Sequence, residues 1–223
     1  MNDSPTRRRY AGPFVLGLTG GIGMGKSWVA SVFSIHGVPV FDSDKSVHKL
    51  LGVGGAAVEQ VLKIFPGAVI TKKAGMFVDR KKLGDIVFND VDKLHKLELI
   101  LHPLIEQQQK KFIGFHARLR TRLVVLDIPL LFETGGDIKT DLVACVYAPR
   151  FVQRARVMLR PGMNEARLQA IESNQLSAEL KCQLADIVIS TRAGRGESLR
   201  QVKEMIQVIN KMPARAWGPH WGK

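Results

Sequence analysis

The segment Phe14–Phe33, FVLGLTGGIGMGKSWVASVF, constrains the fold of this chain more than any other. Phe14–Leu18 is an uninterrupted apolar run, the pattern of a short strand buried on both faces. Gly20-Gly21-Ile22-Gly23-Met24-Gly25-Lys26-Ser27 follows and fits the pattern G-x-x-x-x-G-K-S/T. Val29, Val32 and Phe33 then recur at helical spacing. Strand, glycine-rich turn and helix in succession are the setting in which such a loop wraps a phosphate. Glycines let the backbone close around phosphate oxygens so that successive N–H groups point inward, and the helix adds its positive N-terminal end. In this chemistry Lys26 reaches the β- and γ-phosphates and Ser27 binds Mg²⁺. The rest of the loop, Gly20 through Gly25, supplies backbone donors to the nucleotide.

Beyond the helix, which is expected to end at His36-Gly37, Val38–Phe41 reads as a second short strand running into Asp42-Ser43-Asp44. In a parallel α/β sheet, ligands sit beyond the carboxyl ends of the strands, so Asp42 and Asp44 are expected at the phosphate-binding edge. Each is a candidate general base or metal contact, and each is equally a candidate cap for the helix starting near Lys45. The expectation is a division of labour, one capping and the other facing the phosphates. The third strand, Leu123–Ile128, is continuous and apolar, and its acid Asp127 suggests a metal-side carboxylate. Leu142–Tyr147 and Ala185–Ile189 complete five strands.

Residues 46–115 read as mostly helical, with a turn or small hairpin at 71–79. Two separate helices are expected around His102-Pro103, because proline ends helices. Residues 151–180 carry Arg154, Arg156, Arg160 and Arg167 on two helices around Pro161-Gly162. That is the composition of a lid that brings cations to a transferring phosphoryl group and excludes water. The expected organisation is a flexible arm at 1–13, a core at 14–45 and 116–210 containing the lid, a helical insertion at 46–115 and a tail at 211–223.

Composition narrows the function classes. The 223 residues, 45% apolar and 24% charged, suit one α/β domain with an inserted subdomain. No apolar run reaches membrane-span length, and no signal-peptide core follows the basic N-terminus. Two cysteines, Cys145 and Cys182, give no disulfide framework, which suits a cytoplasmic protein. The net charge of +13 is compatible with nucleic acid or with small polyanionic substrates. The basic residues are scattered, and aromatics make up only 7%, so a stacking surface for nucleic acid is not indicated. His36, His48, His95, His116 and His220 show no zinc spacing.

The motifs, taken in order, resemble those of the dephospho-CoA kinase family. They are Leu18–Ser27, Val40-Phe41-Asp42-Ser43-Asp44, Asp79-Arg80 with Leu83 and Val87-Phe88, Leu101-His102-Pro103-Leu104-Ile105, Pro129-Leu130-Leu131-Phe132-Glu133, Arg156-x-x-x-Arg160, Gln175, Lys181 and Ala185–Ile189. The resemblance covers about residues 14 to 210. It implies an α/β P-loop NTPase three-layer core on a five-stranded parallel sheet, with a helical CoA-binding insertion and a small helical lid. It implies transfer of phosphate from MgATP to the ribose 3′-hydroxyl of dephospho-CoA by a protein expected to be monomeric, with a homo-oligomer as the alternative, and without nucleic acid or membrane partners. By the same resemblance Asp44 is the base, with Lys26, Arg156 and Arg160 as the cations of the reaction. Asp42, Arg80 and His102 are on the acceptor side, Ser27 and Asp127 on the metal, and Trp28 beside the nucleotide. Three departures stand out: Trp28 where threonine is usual, Ser190-Thr191-Arg192 in place of Asp-Asn-x, and Ile171 in place of a lid arginine, whose part Arg167 could take.

Overall fold

A computed structural model describes residues 12–87 and 90–221. The arm expected at 1–13, apart from Gly12 and Pro13, lies outside the described residues, as do Phe88 and Asn89. The elements in chain order are β1 (Phe14–Thr19), α1 (Lys26–Ile35), β2 (Val40–Asp42), α2 (Ser43–Leu51), α3 (Val58–Ile64), β3 (Val69–Lys72), β4 (Gly75–Val78), α4 (Arg80–Val87) and α5 (Val91–Arg118). They continue with β5 (Leu123–Asp127), β6 (Leu142–Tyr147), α6 (Arg150–Met158), α7 (Glu165–Ser173), α8 (Ala178–Leu184), β7 (Ile187–Ser190) and α9 (Arg195–Ile209), and close on a π-helical turn, Trp217–Trp221.

The chain divides into two compact units. One comprises the chain through Phe41 and from Ile113 onward, the other Asp42–Phe112. In the first, five strands form a parallel sheet in the order β2-β5-β1-β6-β7. β1 lies between β5 and β6, with Leu18 opposite Asp127 and Thr19 opposite Cys145. That register puts Asp127 beside the strand that delivers the glycine-rich loop. The three central strands are almost wholly apolar because they are covered on both faces. Phe14, Leu16 and Leu18 of β1 share one core with Val29, Val32 and Phe33 of α1 and with Val202, Met205 and Ile209 of α9. Each such side chain contributes about 1.5–3 kcal/mol by leaving water.

Local chemistry sets the ends. After α1 the Gly37 N–H donates to Ser34 O and the Val38 N–H to Phe33 O, each at 3.0 Å, so a Schellman turn closes the helix. Val38 is thereby spent on the turn and Pro39 has no N–H, which is why β2 starts at Val40 rather than at Val38 as the apolar pattern suggested. β7 likewise begins at Ile187, because Ala185 caps α8 and the Asp186 carboxylate accepts the Val143 N–H at 2.8 Å. Helix α8 itself was not anticipated; its signal is Ser177, whose hydroxyl accepts the Leu180 N–H. The tail is anchored as well. Asp141 accepts the N–H groups of Val15, Arg215 and Ala216, and the Trp221 indole, 2% exposed, donates to Lys139 O.

The second unit has its own core of Leu50, Val58, Val61, Phe65, Leu83, Leu97 and Leu101, among others. It is not wholly helical: β3 and β4 pair as an antiparallel hairpin, with Val69 opposite Val78. The expected break at Pro103 does not occur, and α5 runs through it from Val91 to Arg118. Proline forfeits the bond to the carbonyl of Leu99, but both residues are on an exposed face, Leu99 being 62% exposed, and water can satisfy that carbonyl. The cysteines remain free thiols: Cys182 donates to Cys145 across 3.8 Å, and burial pushes the Cys145 thiol up to about 12.

Gly37 has φ of +75° and no neighbour within 4 Å of where a Cβ would stand. Gly37→Ala therefore tests backbone strain with no steric clash, and it is expected to cost about 1 kcal/mol, read as a lower urea midpoint with unchanged m-value.

Candidate active site

β1 delivers the loop and α1 begins at Lys26, its N-cap being Gly25 with no side-chain cap. The first N–H groups of α1 thus keep their donor capacity for an anion. Lys26 is folded onto the Asp127 carboxylate, with side-chain exposures of 13% and 7%. Expected cation and expected metal-side acid are therefore in direct contact. Ser27, the next residue, is exposed.

A loop whose N–H groups turn inward turns its carbonyls outward, and those need donors of their own. The structure supplies them from α6 and from the end of β7. Gln153 Nε2 donates to Ile22 O at 3.0 Å. The Thr191 hydroxyl donates to Met24 O at 2.7 Å. Arg156 reaches Gly23 O and Met24 O, each at 3.5 Å, and binds Thr191 through both its hydroxyl and its carbonyl at 2.9 Å. Arg156, expected as a cation on the transferring group, thus stands behind the loop as a carbonyl donor. Thr191, from the segment that departs from the family pattern, is its partner and is 3% exposed.

The other lid arginines divide similarly. Arg154 pairs with Glu165 at 2.8 Å and Arg150 with Glu172 at 3.6 Å, joining α6 to α7. Arg167 donates to Gly162 O across the turn. Arg160, exposed beyond the end of α6, is in no ion pair among the described residues. A cavity of about 170 Å³ lies beside the loop, lined by Gly21, Ile22, Met24, Gln153, Gln175 and Leu176 among others. Trp28 turns toward α9, where its indole donates to Ser198 at 2.9 Å and the Arg195 guanidinium sits 4.8 Å over its ring.

In the second unit the two aspartates do divide as expected in one respect. Asp42 caps α2, accepting the Lys45 N–H at 2.9 Å and pairing with the Lys45 ammonium at 3.0 Å. Asp44 is in the first turn, exposed, and does not serve as the cap. Arg80 opens α4 and is bonded to His48, while Asp79 caps that helix through the Lys81 and Lys82 N–H groups. His102 is exposed on α5.

Sequence reasoning gave no role to Thr191, Gln153 or the pair Lys181–Glu133. Lys181 is fully buried and donates to Glu133 Oε1 and to Pro129 O, each at 2.8 Å. Each of these contacts joins segments far apart in the chain, so no local pattern announces it.

Sheet, loop and acid together define a P-loop kinase-like phosphotransferase. Comparison with known proteins gives the family. The family description Dephospho-CoA kinase matches residues 14–196. The dephospho-CoA kinase of Paramagnetospirillum magneticum is 52% identical over 162 residues, covering 73% of this chain and 74% of that protein. That of Mesorhizobium japonicum is 46% identical over 195 residues, covering 87% and 96%. A crystal structure from Thermus thermophilus superposes with a TM-score of 0.77 at 31% identity, over 88% of this chain and 97% of that one. The chain belongs to the dephospho-CoA kinase family.

Gly23 has φ of +76°, and a Cβ there would stand 2.6 Å from Val157 Cγ2 and 3.0 Å from Gln153 O. Gly23→Ala is expected to cost about 2 kcal/mol or more from strain and overpacking against α6, measured as a fall in the denaturation midpoint.

Proposed function

We propose that this chain transfers the γ-phosphoryl group of ATP to the ribose 3′-hydroxyl of dephospho-CoA, giving CoA and ADP, the final step of coenzyme A synthesis. The observation that carries the reading is family membership over most of the chain, together with a loop whose lysine contacts the acid closing the neighbouring strand.

The residues take these parts. Inward N–H groups from Gly20 to Ser27 hold the phosphates, and Lys26 exchanges part of its bond to Asp127 for a phosphate oxygen. Asp127 and Ser27 supply a carboxylate and a hydroxyl, the oxygen donors that a hard cation such as Mg²⁺ takes, and Asp127 is already fixed by the residue preceding Ser27. When bound, Mg²⁺ supplies charge neutralisation at the β- and γ-phosphate oxygens. Arg160 is the lid cation for the transferring group, and Arg156 keeps the loop in shape from behind. Trp28 holds the first turn of α1 against α9 beside the nucleotide. Asp44, exposed and free of capping duty, orients the 3′-hydroxyl and accepts its proton. Arg80, His102 and Asp42 serve the acceptor, whose diphosphate gives cations a use. No helix among the described residues is long and apolar enough to cross a membrane, and we place the enzyme in the cytoplasm, as a monomer acting on small molecules without nucleic acid.

A coupled assay for ADP tests the reading: turnover is expected with dephospho-CoA and not with nucleosides, and the reverse selectivity would reject it. Asp44→Asn is expected to lower kcat about 100-fold or more while leaving the KM for ATP within about threefold. A loss confined to ATP binding would make Asp44 a structural or metal residue instead.

A further inference from the structure

The one fully buried cation among the described residues lies outside the phosphate loop. Lys181 of α8 is 0% exposed, and neither of the two acceptors of its ammonium is in the phosphate loop. Its ammonium is held by two acceptors at 2.8 Å, Glu133 Oε1 and Pro129 O. Each acceptor is shared. Pro129 O also accepts the hydroxyl of Thr19 at 3.0 Å, and Thr19 is the last residue of β1, immediately before Gly20. Glu133 Oε1 also accepts the Leu176 N–H at 2.9 Å, and Leu176 lies on the link between α7 and α8 and lines the cavity beside the loop. Asp127, which ends β5, is two residues from Pro129, and the intervening Ile128 N–H donates to Leu18 O at 2.9 Å.

Four segments are therefore tied through one ammonium and its two acceptors: the end of β1, the stretch after β5, the α7–α8 link and α8. The first two carry the phosphate loop and Asp127. The third is the root of the arginine-bearing pair α6–α7. A buried lysine is costly to keep charged, and here the cost is met only by this geometry. A core that needed only stability could fill the space with apolar side chains.

We propose that Lys181, through Glu133 and Pro129, is a positioning residue for phosphoryl transfer. It fixes the root of the α6–α7 pair to the strand ends that carry the loop and Asp127, so that Arg160 closes on a preset site. It touches no reacting atom and acts through Asp127 and the loop backbone. Because transfer depends on in-line placement, an ångström-scale shift of that root is enough to slow the chemistry by about 100-fold. The proposal rests on the kinase reading above.

The test uses the full chain. The double variant Lys181→Met/Glu133→Gln removes the charge pair while leaving no buried ion unpaired, and Glu133→Gln alone keeps both volume and acceptor. The double variant is expected to lose at least about tenfold in kcat, with the KM for ATP within about twofold and the melting temperature near that of the parent. Hydrogen exchange is expected to rise at 128–133 and 175–177 while β1 and β6 stay protected. A double variant that keeps its kcat within about twofold overturns the proposal and leaves the pair a packing element. If the double variant does not fold, Glu133→Gln decides: a kcat lower by at least about threefold, at unchanged KM, with faster exchange at 175–177, supports the role, and parental kcat and exchange overturn it. A parent chain inactive toward dephospho-CoA would defeat the functional reading alone, and the exchange measurement would still decide whether the pair fixes the lid root.

Discussion

The contact on which the site depends is the ion pair between Lys26 and Asp127. It is made across adjacent parallel strands, because the register sets Asp127 opposite Leu18 and the loop turns back over that strand end. Both side chains are nearly covered, so neither can be left without a counter-charge at small cost. On the proposed reading, a polyphosphate on the loop would offer Lys26 another partner and a divalent ion would offer one to Asp127, so that nucleotide and metal would bind together rather than independently.

The phosphate loop has a second face, and the structure shows how it is served. Backbone that points its N–H groups at an anion must point its C=O groups elsewhere, and the elsewhere here is α6 and the end of β7. Gln153, Arg156 and Thr191 between them reach the carbonyls of Ile22, Gly23 and Met24. The Arg156–Thr191 pairing gives a reason for Thr191 in a segment where the family pattern differs: a buried hydroxyl both accepts from the guanidinium and donates to the loop. The same helix that leads out to Arg160, just beyond its end, thus braces the loop.

What could be read from the sequence follows the range of the interaction. The strands, the loop, the α1 stop at Gly37 and a helix cap in Asp42-Ser43-Asp44 depend on neighbours a few residues away, and the sequence shows them, though not which of the two aspartates caps. The hairpin at β3–β4 was visible as a turn for the same reason. Pro103 misled because the rule that proline ends helices assumes the lost carbonyl partner has no substitute, whereas Leu99 faces water. Arg156 marks another limit. Helical spacing shows that arginines populate α6 but not which way each points, and direction separates a carbonyl donor from a phosphate cation. Lys181 meets its acceptors only through folding: Pro129 lies 52 positions before it in the chain, and Leu176, which shares Glu133 with it, lies 43 positions after Glu133. No window on the sequence spans that.

The basic balance of the chain takes its meaning from this sorting. A net charge of +13 invites a polyanion, but charge alone does not say where it binds. Among the cations around the loop, Arg150 and Arg154 are spent on joining α6 to α7, Arg156 on the loop carbonyls, Arg167 on the Pro161-Gly162 turn and Lys181 on the strand ends. Arg160 keeps an exposed guanidinium. Arg150 and Arg154 are paired with carboxylates, and Arg156 and Arg167 are held in place by backbone carbonyls. On the proposed reading, Arg160 is the lid arginine left to meet the phosphoryl group, its neighbours being engaged with carboxylates or backbone carbonyls.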